Sequence, residues 1–182
     1  QDIISSSLKE VDEKLQLKVS IAPQSEQSIT SVELDKEETT KQSSAGKRSN
    51  INPANAFSSF IEGPNNIFAK NAAKKVANAP GSADFNPLII YGGVGLGKTH
   101  LLHSIANELV NSKKELNIVL ASSEKFTNDF IASIQENKTL YFSKVYRNAD
   151  VLLIDDIQFF QGKEQTQEQF FHTFNVLYQA GK

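Results

Sequence analysis

Apolar and polar positions divide the chain into unlike stretches. All 12 Phe and all 4 Tyr lie between Phe57 and Tyr178. Burial of large apolar side chains is what offsets chain entropy, so the folded domain is expected over residues 51–182. Within it, helical and strand-like patterns alternate. Residues 65–79 are Ala-rich, place Ile67, Phe68, Ala72 and Val76 on one side, and run into Pro80-Gly81, the signature of a helix with a stop. Residues 88–91, 117–121 and 151–154 are short and mainly apolar, and each reads as a buried strand. Residues 98–111 carry a helical stripe of Leu101, Leu102, Ile105, Leu109 and Val110. Residues 123–135 and 140–147 read as two short helices. Residues 165–178 read as a further one, with Phe170, Phe171, Phe174 and Leu177 as a core stripe. Strand–helix–strand alternation predicts an α/β fold, a three-layer parallel sheet with flanking helices.

The first 50 residues read differently. Residues 1–21 hold a potential helix at 7–14, then Leu15, Leu17, Val19 and Ile21 alternating with polar residues, the period of a half-buried strand. One helix and one strand have nothing to pack on, so this stretch is expected to be the remnant of an upstream domain. Residues 22–50 have Ile29, Val32 and Leu34 as their only larger aliphatics among Ser, Thr, Gln, Glu and Lys, the composition of a disordered linker.

Composition narrows the classes. The net charge of −2 gives no global signature of a nucleic-acid binder. With no cysteine, disulfides, thiolate zinc sites and thiol catalysis are excluded, and a reducing cytoplasm fits. No apolar run approaches the length of a bilayer span. The absence of Met suggests a fragment or processed piece of a longer protein.

Gly92-Gly93-Val94-Gly95-Leu96-Gly97-Lys98-Thr99 fits G-x-x-x-x-G-K-[ST] in full, directly after one expected strand and directly before a helix. Gly93, Gly95 and Gly97 let backbone N–H groups approach a phosphate without a Cβ in the way, and the following helix N-terminus adds partial positive charge. Lys98 suits the β- and γ-phosphates of ATP. The Thr99 hydroxyl suits Mg²⁺, which prefers hard oxygen donors. The second feature is residues 151–154 ending in Asp155-Asp156. A parallel strand delivers Asp155 to the carboxyl edge of the sheet, beside the phosphate loop, where it can hold Mg²⁺ largely through water. Asp156 points elsewhere and can orient the attacking water. The plain alternative is a strand end with two solvated acids.

Beyond these motifs the sequence resembles the bacterial DnaA family. The resemblance is carried by Asn52-Pro53 with Phe57 and Phe60, Asn86-Pro87-Leu88, the loop with His100-Leu101, Ser123-Glu124-Lys125-Phe126-Thr127-Asn128, and Leu152-Leu153-Ile154-Asp155-Asp156-Ile157-Gln158-Phe159. Gly162-Lys163-Glu164-Gln165-Thr166-Gln167 and Phe170-Phe171-His172-Thr173-Phe174-Asn175 extend it over residues 51–182. The resemblance implies an AAA+ ATPase domain, preceded by a partner-binding domain and linker and followed by a lid and a helix-turn-helix domain. It implies an ATP-switched initiator that binds origin DNA, assembles as an ATP-bound oligomer to open the duplex, works in the cytoplasm with the replicative helicase, and binds acidic phospholipids. Residues 123–147 resemble the extra helices of initiator-type members. Positions matching the family's single-strand face are Ile131, Lys163, Gln165 and Thr166; some relatives carry Arg at the position of Gln165, so no phosphate contact is expected there. A Glu commonly stands where this chain has Asp156. The strand expected to carry a γ-phosphate sensor, the arginine finger and the lid lie beyond Lys182, so weak binding and slow hydrolysis are expected of these residues alone.

Phe60 and Ile61 are chemically suited to a purine, but core packing accounts for them equally, and no site is assigned there. His100, His103 and His172 are too few and wrongly spaced for a metal site; His103 and His172 read as helix-face residues, and His100, directly after Thr99, can add its backbone N–H to the phosphate cradle. Ile131 has a competing reading as a core residue beside Phe130 and Ile134, and Lys163 one as a solvated charge. Two other functions use similar parts: a helicase-loading or regulatory adaptor without its own DNA-binding domain, and a P-loop metabolic kinase. The linker argues against the first and the initiator-like strings against the second.

Overall fold

The computed structural model describes residues 50–112 and 115–182, so the expected upstream remnant, the linker up to residue 49 and Lys113-Lys114 lie outside the described residues. The elements run in the order α1 (Ile67–Asn78), a 3₁₀ turn (Ala83–Phe85), α2 (Lys98–Asn111), β1 (Ile118–Ser122), α3 (Ser123–Gln135), α4 (Thr139–Arg147), β2 (Val151–Asp155), a second 3₁₀ turn (Ile157–Phe160) and α5 (Glu164–Gln179).

β1 and β2 pair in parallel, with Ile118 opposite Val151 and Ser122 opposite Asp155. Side chains alternate along a strand, so the pair has two faces. Ile118, Leu120, Val151 and Leu153 join a core that includes Phe60, Ala73, Ala77, Leu101, Ile105 and Leu109 from the region of α1 and α2. Val119, Ala121, Leu152 and Ile154 join the other core, built on Phe126, Phe142, Tyr146 and Phe160. Covering both faces is why these strands are apolar throughout rather than alternating. The result is three layers: helices, parallel strands, helices. Parallel neighbours also require a long crossover, which α3 and α4 provide.

The second core centres on Phe126, whose ring meets those of Phe142, Tyr146, Phe160 and Phe170 edge-on at centroid distances of 4.7–5.8 Å. Such edge-to-face contacts suit the aromatic quadrupole. The Tyr146 hydroxyl donates to Asp129 Oδ2 at 2.7 Å, tying α4 to α3. Burial, and next that bond, hold the phenol well above its ordinary range.

Three expectations are corrected. Residues 88–91 form no ladder with any strand among the described residues. Leu88 and Ile90 pack on the first core, whereas Ile89 is 43% and Tyr91 78% exposed. Apolarity dictates that a run is buried on one side, but a strand also needs a backbone partner, and residues 88–91 have no ladder partner among the described residues. In α1, Phe68 is exposed and the buried arc consists of Ala72, Ala73 and Ala77, small residues that let α1 approach α2 closely. In α5 the buried positions are Thr166, Thr173 and Leu177, with Phe170 against the second core. Phe171 faces outward and stacks with Phe174, which stacks in turn with Tyr178.

Phe126 is 0% exposed at the meeting point of three helices. Phe126→Ala is expected to destabilise the fold by about 3–5 kcal/mol, read as a shift in denaturant midpoint.

Candidate functional site

The phosphate loop leads into α2 through backbone that only glycine adopts readily. Gly95 has φ +79° and Gly97, the residue before α2, φ +90°. Gly97 is constrained twice over, because a Cβ there would lie 2.7 Å from the ring of Phe60. Lys98, first residue of α2, folds back over the loop, its ammonium donating to the carbonyls of Gly92 (2.9 Å) and Gly93 (2.7 Å). Thr99 follows in the first turn and is exposed. The loop thus brings Gly93, Gly95, Gly97, Lys98 and Thr99 together at the amino end of one helix, where backbone N–H groups lack intrahelical partners and an anion is favoured.

β2 packs against α2, so its carboxyl end carries Asp155 beside that helix. Asp155 Oδ1 accepts the N–H of Asp156 at 3.0 Å. Asp156 then leaves the strand direction with φ 55° and ψ 44°, a left-handed conformation that Asp tolerates better than most L-residues. The two acids therefore do not share a direction. Gln158 Nε2 donates to Asp156 Oδ1 at 2.9 Å. No group of three or more His, Cys, Asp or Glu among the described residues has the arrangement of a metal cage. A Thr hydroxyl and one carboxylate are the donors expected of a Mg²⁺ site that is completed by phosphate and water.

A set of residues whose joint role the sequence did not reveal lies on the polar side of α2. His100, His103, Ser104 and Asn107 recur at i, i+3, i+4 and i+7, so they form one stripe. All four grip the main chain of residues 52–56. His103 Nδ1 accepts the N–H of Asn52 at 3.1 Å. His100 Nε2 lies 2.9 Å from the carbonyl of Ala56, so it is the donor. Asn107 Nδ2 donates to the carbonyls of Asn55 and Asn52, and the single hydroxyl hydrogen of Ser104 is shared between the carbonyls of His100 (2.8 Å) and Asn55 (3.2 Å). The strap so fixed ends in Phe60, which is buried against Gly97 and edge-on to His100, centroids 5.3 Å apart. His103 is thus not an idle helix-face residue, and the His100 side chain has a role besides its backbone N–H; their spacing with Ser104 and Asn107 was the available signal. Ile61 is 88% exposed, so Phe60 packs inward while Ile61 does not.

Of the four residues matched to a single-strand face, Ile131, Lys163 and Thr166 differ in setting. Ile131 is 45% exposed on α3, not a core residue, and Phe130 takes the inward place. Lys163 is exposed immediately before α5. Thr166 is buried at 4% exposure, so its hydroxyl is closed to a ligand lying on the surface.

Burial lowers the pKa of His103, with Asp155 opposing and His100 reinforcing the effect. A His whose folded-state pKa is lowered contributes stability that is complete above its ordinary value of about 6.5 and is lost as pH falls towards the folded value. Unfolding free energy is therefore expected to fall below about pH 6.5, and less so in His103→Gln, measured by urea titration at several pH values. Gly97→Ala is expected to lower nucleotide affinity at least about tenfold, because both the left-handed turn and the Phe60 contact must yield; calorimetric titration with ATP checks this.

Residues 51–182, well over half of the chain, match the model of the bacterial DnaA ATPase domain. Domain III of the replication initiation protein DnaA of Thermotoga maritima is similar in structure, with a TM-score of 0.70 and 50% identity over 72% of this chain and 55% of that one. AMPPCP-bound DnaA of Aquifex aeolicus is similar with a TM-score of 0.69 and 37% identity, over 72% of this chain and 41% of that one. A replication initiator DnaA bound to AMPPCP and single-stranded DNA matches with the same TM-score and identity, over 72% and 40%. The chain thus spans about half of these structures or less. With the phosphate loop, the Asp pair and the layered fold in place, the chain belongs to the family of bacterial DnaA ATPase domains.

Proposed function

We propose that this chain is the nucleotide-binding part of a replication initiator that uses ATP as an assembly switch. The observation that carries the reading is the glycine-turned loop with Lys98 folded over it at the head of α2. Lys98 exchanges its carbonyl partners for the β- and γ-phosphates of ATP, and the backbone of Gly93, Gly95 and Gly97 lines the cradle. Thr99 and Asp155 would hold Mg²⁺, which neutralises charge on the phosphates. Asp156, turned away from Asp155, orients the water that attacks the γ-phosphate.

Two relatives are described with AMPPCP and one with single-stranded DNA, which supports ATP and DNA as ligands here. Exposed Ile131 and Lys163 are the residues assigned to the single strand, Lys163 through a phosphate and Ile131 through apolar contact. Thr166 is left out because it is buried. In this reading ATP-bound copies assemble on origin DNA and open the duplex, in the cytoplasm, with the replicative helicase as client and acidic phospholipids as a further partner. Family membership supports these assignments.

The test uses the whole protein that carries this chain. Lys98→Ala is expected to abolish measurable ATP binding in a calorimetric titration. Asp156→Asn is expected to keep binding and lose about 100-fold in hydrolysis rate. Lys163→Ala is expected to weaken single-strand binding and lower its salt dependence by about one phosphate contact. An ATP-competent protein with no affinity for single-stranded DNA would favour an adaptor that works through protein contacts.

A further inference from the structure

Two adjacent serines sit where β1 becomes α3, and they do different work. Ser122 caps the helix: its Oγ accepts the N–H of Lys125 at 3.1 Å. Capping therefore does not account for Ser123. Ser123 is 1% exposed, and its Oγ donates across to the carbonyl of Asp156 at 2.7 Å. The same carbonyl accepts the N–H of Phe159 at 3.0 Å. The peptide group leaving Asp156 is thus held from two sides, by its own 3₁₀ turn and by a different element.

What is held matters. Asp156 is one of two non-glycine residues with positive φ among the described residues. Its left-handed conformation turns its carboxylate out of line with Asp155. A backbone in a sparsely populated region persists when its surroundings over-determine it. Here they are the Ser123 hydroxyl on the carbonyl, Asp155 on the N–H and Gln158 on the carboxylate. Asp155 and Gln158 lie within two residues in sequence and move with the turn. Ser123 is anchored independently, because its own carbonyl accepts the hydroxyl of buried Thr127 at 2.7 Å.

We propose that Ser123 is a positioning residue for ATP hydrolysis, fixing the left-handed turn that aims Asp156 and tying the first turn of α3 to the end of β2. This rests on the reading of Asp156 as the residue that orients the attacking water. Ser123 itself touches no substrate. α3 also carries exposed Ile131, so the same bond joins the hydrolytic turn to a helix with an exposed face.

The experiment compares Ser123→Ala, Ser122→Ala and Asp156→Asn in the whole protein, reading kcat, KM for ATP, ATP affinity and Tm. S123A is expected to lower kcat about tenfold, the equivalent of one lost hydrogen bond, with KM and ATP affinity unchanged. S122A removes the cap and is expected to lower Tm with kcat unchanged well below melting. On the D156N background S123A is expected to cause no further loss, because the two residues act as a unit. A kcat for S123A within twofold of wild type overturns the proposal, as does an equal fall in kcat in S122A, which would make the effect one of helix stability. If S123A does not fold, S123C fills a similar volume with a poor donor and is judged by the same twofold limit. D156N hydrolysing at the wild-type rate would remove the underlying reading; slow D156N with fast S123A would remove only the role of Ser123.

Discussion

Parallel, in-register pairing of β1 and β2 sets where the chemistry lies. Ser122 and Asp155 are partners at the last rung, so both strands end at the same edge. The residues that follow, Ser123 and Asp156, are then close enough to bond although far apart in the chain. A slip of one residue would invert every side chain between the two cores and carry the Asp pair out of line. The register is fixed by burial on both faces: Ile118, Leu120, Val151 and Leu153 on one, and Val119, Ala121, Leu152 and Ile154 on the other.

The phosphate loop depends on a different support. α2 is apolar on the side facing the strands and polar on the side facing the strap, and both sides are used. Four side chains grip main-chain groups of residues 52–56, which positions Phe60 against the one glycine whose Cβ would collide with it. The loop's shape is therefore secured by residues far upstream in sequence as well as by its own glycines.

Much of this was legible in the sequence, for local reasons. The bounds of α2 and α3 were read correctly because an apolar stripe and an adjoining motif marked both ends. The phosphate loop and the Asp pair are short and their contexts are adjacent. What escaped was non-local. Residues 88–91 have the composition of a strand, but composition does not name a hydrogen-bond partner. Thr166, matched to a single-strand face, is buried, as is Thr173, while Phe171 reads as core and is exposed. A threonine can enter a helix–helix contact by returning its hydroxyl to its own helix, as Thr173 does to the carbonyl of Gln169. The histidines of α2 carried a visible periodicity, but only the fold shows that carbonyls of the strap lie opposite.

The posture of Lys98 bears on which molecules the loop discriminates. Its ammonium has three donors and already spends two on the carbonyls of Gly92 and Gly93. Ligand entry is therefore a substitution of partners rather than the solvation of a bare cation. A neutral hydroxyl offers nothing better than a carbonyl, and a single weak acceptor little more. A polyphosphate offers several anionic oxygens at once, each a stronger acceptor than an amide. With Lys98 as the proposed phosphate ligand, its satisfied ammonium would favour ligands of high charge density over neutral ones.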